Sequence, residues 1–175
     1  MRVSLLLAAV LLAGCLPAAA PISAPAPEPA FRPEVFFDGP SHGEPVLSIR
    51  TRGTQRLRVE SHGTAQPDGT VRLDQRITYP DGRSSDRTWT MAPLDGGRYA
   101  ATLTPDARGP VDVRAEGNRL TIRYRMGRVT TMEQTLTLRP GGQVADNAAT
   151  VRMMGIPIAR LTEVITRDGP PAAER

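Results

Sequence analysis

The chain has 175 residues and a single cysteine, Cys15, so no disulfide can form within it and a folded domain must be stabilised by its apolar core. The formal net charge is +4, and all 22 basic residues are arginine. Because these arginines are spread singly among acidic residues, as in Arg72-Leu73-Asp74-Gln75-Arg76, no continuous basic patch indicates a nucleic-acid partner.

The first residues have the organisation of a secretory signal peptide. Residues 1–14 combine a basic start, an apolar run and the box Leu12-Ala13-Gly14, placed directly before Cys15. The apolar run is shorter than the 20 or so residues that a membrane-spanning helix needs. Small residues fit the cleft of a signal peptidase, and a thiol can carry diacylglycerol. The box therefore matches the bacterial lipobox and predicts a lipoprotein, palmitate-bearing at Cys15, with Leu12, Ala13 and Gly14 as the peptidase box.

An alternative interpretation is cleavage after Pro17-Ala18-Ala19-Ala20 by the ordinary signal peptidase, with Cys15 as one more apolar residue of the signal. For a lipoprotein, the residue after the cysteine sets the destination in Gram-negative cells, where Asp retains the protein at the inner membrane. Leu16 is not Asp, so we expect a lipid-anchored protein at the outer membrane, facing the periplasm.

The remainder divides into three parts. Residues 15–30 hold the cysteine and a stretch dominated by Pro and Ala, which favours extended geometry at about 3.1 Å per residue and predicts a tether of roughly 40 Å. Residues 31–167 form the predicted domain, and residues 168–175 a polar tail.

Within the predicted domain the apolar period is two almost everywhere, as in strands with one buried face. The clearest case places Leu120, Ile122, Tyr124 and Met126 on one side of a strand, with Thr121 and two arginines on the other. Ten strands are predicted, near residues 46–52, 55–61, 70–79, 85–91, 97–104, 110–116, 119–126, 131–139, 143–153 and 157–166. Part of 143–153 is the one stretch in which a helix is an alternative.

Turn sequences separate these strands. They are Pro67-Asp68-Gly69, Pro80-Asp81-Gly82, Asp95-Gly96-Gly97, Gly117-Asn118 and Pro140-Gly141-Gly142. Such pairs tolerate the positive φ of tight hairpins, so consecutive strands should be antiparallel neighbours. Because closure removes the unpaired edges of a long meander, we predict an all-β fold: an antiparallel up-and-down β-barrel of about 8–10 strands.

Several segments also resemble, in order, a family of proteobacterial lipoproteins known only as a domain of unknown function. The matching segments are Phe31–Gly39, Leu73–Trp89, Gly97–Tyr99, Glu116–Tyr124 and, more weakly, Asn147–Ile165. The resemblance implies a lipocalin-like, calycin-type barrel and an envelope location, and it implies no activity. The chain departs from the family at Gln134–Leu138, where other members carry Trp or a Met-rich segment.

No catalytic or metal-binding set is evident. His42 and His62 lack partners at metal-ligand spacing and are interpreted as surface residues. Ser84 and Ser85 lie in a loop without a nucleophile elbow. Three carboxylates fall on the outward parity of their strands: Asp74, Asp112 and Glu116. We therefore expect no enzyme activity, no metal and no cofactor.

The inward parity carries polar residues. Gln75, Gln134 and Ser61 interrupt apolar series on their strands, which suggests either a wet, partly hollow lumen or hydrogen bonds within a solid core. Arg87 and Trp89 share a strand face, as a cation–π packing pair at the barrel end or as part of a ligand wall.

The candidate ligand-binding residues are Gln75, Trp89, Tyr124 and Gln134. Phe36 and Phe37 resemble a plug that enters the fold. The leading hypothesis is a membrane-anchored lipoprotein whose barrel binds an apolar or amphipathic small molecule, such as a lipid. The alternative is an accessory lipoprotein with a solid barrel that docks on a cell-envelope protein partner.

Overall fold

A computed structural model describes Leu16 and residues 25–169. The predicted signal peptide and its box Leu12, Ala13 and Gly14, the predicted lipid site Cys15, most of the tether and the tail from residue 170 lie outside the described residues.

The described part of the chain is a closed, ten-stranded antiparallel barrel built from twelve strand segments. They are β1 (Gly39–Gly43), β2 (Val46–Ile49), β3 (Gly53–Arg56), β4 (Arg58–Ala65), β5 (Val71–Thr78), β6 (Ser84–Pro93), β7 (Arg98–Thr104), β8 (Val111–Glu116), β9 (Arg119–Arg125), β10 (Thr130–Leu138), β11 (Val144–Met153) and β12 (Ile156–Arg167). A helix, α1 (Pro33–Phe36), precedes β1, and a 3₁₀ turn spans Asp95–Gly97. The predicted all-β, up-and-down architecture is confirmed.

Closure depends on two pairs of collinear segments. The last strand, β12, pairs through Ile165–Arg167 with β1 and through Ala159–Thr162 with β2, so β1 and β2 act as one long strand interrupted at Glu44-Pro45. β3 and β4 continue each other in the same way, because they pair with β2 and β1 in a single register. Twelve segments thus make ten strands around the barrel.

The five predicted turns all join consecutive antiparallel strands, and the predicted alternation holds in detail. In β9, Leu120, Ile122 and Tyr124 are buried, while Arg123 and Arg125 are exposed. Asp74, Asp112 and Glu116 are exposed, as their parity predicts.

One predicted strand boundary was wrong. The first predicted strand, 46–52, missed β1, whose sequence Gly39-Pro-Ser-His-Gly43 contains no residue of high strand propensity. β1 is extended because β4 and β12 pair with it from both sides. The predicted strand at 143–153 is confirmed as β11, which is paired along its length with β10 and β12, so the helical alternative is not realised.

One end of the barrel, here called the plugged end, is sealed by the segment before β1. Phe31, Phe36 and Phe37 are buried there, with ring centroids 5.0–6.2 Å apart. The carbonyl oxygen of Phe37 occupies the space that a Cβ on Gly63 would need, so β4 requires glycine at this point. The interpretation of Phe36 and Phe37 as a plug is confirmed by this packing.

Within residues 25–169 the strand pairings close the barrel, and the plug and two apolar clusters fill it. The larger apolar cluster, here called the main core, fills the plugged half and includes Leu73, Trp89, Leu120, Ile122 and Leu136. A separate cluster of Leu57, Val59 and Ile77 lies towards the opposite end, called the rim. The rim is formed by the connections at 50–52, 79–83, 105–110, 126–129 and 154–155. No helix in residues 25–169 has the length and apolar character needed to cross a bilayer.

Candidate functional site

A polar layer crosses the lumen at mid-height, between the main core and the smaller apolar cluster. Register places Gln75 on β5 opposite Ser61 on β4 and Arg87 on β6. The Gln75 amide donates from Nε2 to Ser61 Oγ at 2.9 Å. Its Oε1 accepts from Arg87 Nε and from Trp89 Nε1, each at 2.9 Å. Gln75 is therefore the hub that orients three neighbouring side chains.

This geometry differs from the interpretation of Arg87 and Trp89 as a cation–π pair at the barrel end. Trp89 is buried within the main core and meets the ring of Tyr124 edge-on, at 5.9 Å and 85°. Arg87 instead extends towards the rim, with Nη1 3.7 Å from Asp106 Oδ2. The two side chains are joined through Gln75 because both are N–H donors that need an acceptor in a buried setting.

The opposite wall of the layer was not identified from the sequence. Asn147 on β11 is buried and donates from Nδ2 to Oε2 of Glu163 on β12 at 2.8 Å. Asn147 Oδ1 is buried without a hydrogen-bond partner among the described residues. A Cβ on Gly43 of β1 would overlap the Glu163 carboxylate, so this glycine makes the space that the carboxylate occupies.

Two groups in and beside the layer have displaced pKa values. Burial raises the pKa of Glu163, although the Asn147 hydrogen bond and the charge of Arg87 act in the opposite direction. Burial also raises the pKa of Tyr124, to about 12, so its hydroxyl stays protonated at neutral pH. The layer thus contains, beside the Arg87 guanidinium, a carboxyl group that resists ionisation.

A small cavity lies at the centre of the polar layer. Its volume is about 30 Å³, and Gln75, Arg87, Gln134, Asn147 and Glu163 line it together with apolar residues of the main core. This volume holds about one water molecule. Hydrogen bonds within the core therefore account for much of the inward polarity, and the hollow space that remains is limited in this conformation.

The predicted candidate residues fall in two places. Gln75, Trp89 and Gln134 line the cavity, whereas Tyr124 packs on Trp89 and does not line it. Asn147 and Glu163 also line the cavity, although neither was among the predicted ligand-binding residues. Glu163 interrupts the apolar pair Leu161 and Ile165 just as Gln75 interrupts its own series, and this signal could have identified it.

The outer wall has a different character. A depression of about 470 Å³ over β4, β5 and β6 is open to solvent and lined largely by charged residues, among them Asp74, Arg76 and Asp86. Arg76 forms a bidentate pair with Asp86 here, one of several exposed pairs of this kind. Exposed pairs contribute little to stability, and this surface has the properties of a solvated face.

The remaining titratable candidates lie away from the lumen. His42 and His62 are both exposed, as predicted, and His42 Nδ1 is 2.6 Å from Asp168 Oδ1. Within residues 25–169 no group of three or more His, Cys, Asp or Glu side chains is arranged to hold a metal ion.

Comparison with known proteins extends these observations. Residues 9–167 match the model of a family described as "Protein of unknown function (DUF3833)", and no curated protein matches the chain. An S-type phycobiliprotein lyase from Guillardia theta is similar in structure, with a TM-score of 0.62 over 78% of this chain and 91% of that chain at 4% identity.

A protein of unknown function from the DUF3598 family of Nostoc punctiforme has a TM-score of 0.56 over 77% of this chain at 14% identity. This chain spans about half of that longer protein, 48% of its length. At such identities the likeness concerns the fold alone, and it supports the predicted lipocalin-like barrel.

Proposed function

Since the chain belongs to the DUF3833 family, whose function is unknown, we propose from the geometry that its barrel receives the polar end of an amphipathic small molecule. The observation that carries this proposal is the polar layer around the mid-barrel cavity. There the Arg87 guanidinium, the Glu163 carboxyl and the side-chain amides of Gln75, Gln134 and Asn147 converge on one space.

The polar layer lowers the stability of the fold. A buried polar group without a partner costs about 1–3 kcal/mol, and Asn147 Oδ1 is in this position. A partly buried carboxyl beside it adds a desolvation penalty. Apolar side chains at these strand positions would close the barrel at lower cost, so the layer has a role beyond folding. Convergent polar groups within an otherwise apolar interior are typical of ligand sites.

The ligand must open the site as it enters. Pockets for small molecules usually measure about 300–1,000 Å³, far more than the 30 Å³ present. The cluster of Leu57, Val59 and Ile77 lies between the polar layer and the rim and is separate from the main core. Its displacement would admit an apolar tail from the rim without disturbing the plugged half, while the head reaches Arg87 and Glu163.

A binding role suits this site better than a catalytic one. Both histidines lie on the outer surface, so neither can act as a base for a group in the lumen. The structurally similar protein from Guillardia theta is named as a lyase, so a barrel of this architecture occurs in a protein that is named for an enzyme activity. The polar layer of this chain supports recognition of a head group.

We further propose that lipid on Cys15 anchors the domain at the outer membrane, facing the periplasm. The support is the box Leu12-Ala13-Gly14 directly before Cys15, with Leu16 in place of Asp after it. Cys15→Ser should abolish incorporation of labelled palmitate and release the protein from membranes. A wild-type chain that takes no label and fractionates as a soluble protein would show that the match is accidental.

The ligand proposal is tested with the chain that begins at Leu16, which contains the complete barrel and cannot be lipidated. Native mass spectrometry should detect a co-purifying amphipathic molecule, and a panel of fatty acids and lysophospholipids should raise the melting temperature. Glu163→Gln should weaken binding while the protein stays folded.

The matched control is Glu133→Gln, the same change on the outer wall, where Glu133 pairs with Arg123. It should leave binding unchanged. If nothing co-purifies and no compound of the panel shifts the melting temperature, the lumen is not a binding site. The accessory role then gains support if crosslinking in cells captures one dominant envelope protein.

A further inference from the structure

Apolar side chains are concentrated at one place on the rim. Four of the six large apolar residues that are exposed in residues 25–169 lie on or directly beside the β9–β10 and β11–β12 turns. They are Met154 (79% exposed), Ile156 (57%), Val129 (50%) and Met153 (44%). The Met154 N–H donates to the Val129 carbonyl at 2.9 Å, so the two turns form a single surface, here called the apolar turn pair.

The conformation of Met154 makes this surface unusual. Met154 and Gly155 both have positive φ, 50° and 81°, as in the two-residue hairpin turns that favour Asn-Gly. Met154 is the one non-glycine residue with positive φ in the described part of the chain. A long apolar side chain is disfavoured by this backbone and gains no burial there. Its presence at the tip is therefore not explained by the stability of the fold.

The charge around the apolar turn pair is mainly positive, and the nearest acid of the adjoining 105–110 connection, Asp106, lies beside Arg87. Residues 50–53, 125–131 and 152–158, which are adjacent along the rim, contain no acidic residue. They contain five arginines, at positions 50, 52, 125, 128 and 152, and none of the five forms an ion pair with a described residue. The Arg50 N–H donates to the Ile158 carbonyl, which holds the 50–52 turn beside the apolar turn pair.

We propose that this part of the rim docks on an anionic membrane surface. The apolar side chains enter the boundary between head groups and acyl chains, and the flanking arginines bind lipid phosphates, which match the guanidinium geometry. The occupant follows from the combination: apolar tips alone would suit many partners, whereas arginines without an ion pair around them favour a surface of negative charge. The proposal depends on rim residues alone and is independent of the polar layer.

The test uses the chain that begins at Leu16, which binds no membrane through lipid. In vesicle co-sedimentation it should bind mixed phosphatidylglycerol and phosphatidylcholine vesicles, and added salt should weaken the binding. Phosphatidylcholine vesicles should bind it poorly. Met154→Asn should reduce the affinity about tenfold through lost apolar burial, while the Asn-Gly turn keeps the fold intact. Leu94→Asn, which changes another exposed apolar residue (51%) at the plugged end, should have no effect.

The arginine contribution is tested separately. Arg128→Gln and Arg52→Gln should each reduce the affinity for phosphatidylglycerol vesicles about fivefold and flatten the salt dependence. Arg98→Gln at the plugged end is the matched control. Equal binding to both vesicle types, or full binding by Met154→Asn, would overturn the proposal. The proposal would also be overturned if the protein does not bind vesicles and forms a concentration-dependent dimer that Met154→Asn abolishes. The surface would then bind a second copy of the chain.

Discussion

Replacing Gln75 with leucine removes the hub of the polar layer and tests whether the layer is a connected network. The substitution leaves Trp89 Nε1 and Arg87 Nε without their acceptor, and Ser61 Oγ without its donor. Leaving a buried donor without an acceptor costs about 1–3 kcal/mol. Arg87 keeps Asp106 nearby, and the leucine adds roughly 1 kcal/mol of apolar burial.

The net expectation for Gln75→Leu is a loss of about 2–4 kcal/mol in the free energy of unfolding. For a domain of this size that corresponds to a drop of about 6–15 °C in melting temperature. Urea unfolding followed by Trp89 fluorescence measures it, because this is the single tryptophan and it is bonded directly to Gln75.

Gln75→Glu is the matched variant, since a carboxylate can still accept from both Arg87 and Trp89. It should lose little stability. The double variant Gln75→Leu with Trp89→Phe should lose less free energy of unfolding than the two single variants added together. It no longer carries an indole N–H that lacks an acceptor. Strict additivity, or an unchanged midpoint for Gln75→Leu, would refute the network.

Three other predictions concern Glu163, Gly63 and Met154. The raised pKa of Glu163 means that the folded state holds this proton more tightly than the unfolded state, so stability falls as pH rises above the ordinary glutamate pKa. Glu163→Gln should therefore stabilise the protein at pH 7 and lose that advantage near pH 4; an equal effect at both pH values would contradict the burial of this carboxyl. Gly63→Ala should cost about 1–3 kcal/mol because the new methyl overlaps the Phe37 carbonyl, whereas Gly127→Ala, which meets nothing closer than 3.8 Å, should cost much less. Met154→Asn should add about 1 kcal/mol by relieving the left-handed backbone, and a loss in thermal melts would show that the Met154 side chain is needed for folding.

The sequence allowed the barrel to be predicted because its strands alternate and its turns carry Asp-Gly and Gly-Asn pairs. β5 and β9 follow the pattern residue by residue. β1 could not be predicted, since Gly39–Gly43 is extended through pairing with β4 and β12 and not through its own propensity. The predicted strand at 143–153 forms β11. A helix was an alternative there because the inward residues Ala145 and Ala149 are also good helix formers, and pairing on both sides overrides that preference.

The candidate site was half predictable. Gln75 and Gln134 were identified by parity, and both line the cavity. Asn147 was missed, although it lies within the predicted strand 143–153, because neither face of that strand is clearly apolar in the sequence. The bonds that Gln75 accepts from Arg87 and Trp89 were missed for another reason: parity shows which residues share a face, while the choice of acceptor depends on distances across strands.

The length of the N-terminal segment links the proposed anchor to the rim. The segment joins the barrel at its plugged end, where Ala26 N–H donates to Asn118 Oδ1. Nine residues lie between Cys15 and Pro25, and the ten residue-to-residue steps can reach at most about 35 Å. The twelve residues of β12, tilted as barrel strands are, give a barrel about 30 Å tall. A chain anchored through Cys15 can therefore bring its rim to the same membrane only with a nearly extended tether.

Deleting residues 17–20 shortens this reach to about 20 Å, which is less than the height of the barrel. Lipidation should continue, because the box and Cys15 are untouched, but the rim should lose its contact with the anchoring membrane. Oxidation of Met154 by peroxide provides the assay, since this side chain is 79% exposed on the free protein. In anionic proteoliposomes Met154 should be protected in the full-length protein with the proposed lipid on Cys15 and oxidised in the deletion variant, whereas Met91, buried in the core, should react slowly in both. Equal oxidation of Met154 in the two proteins would show that the rim does not meet the membrane that holds the anchor.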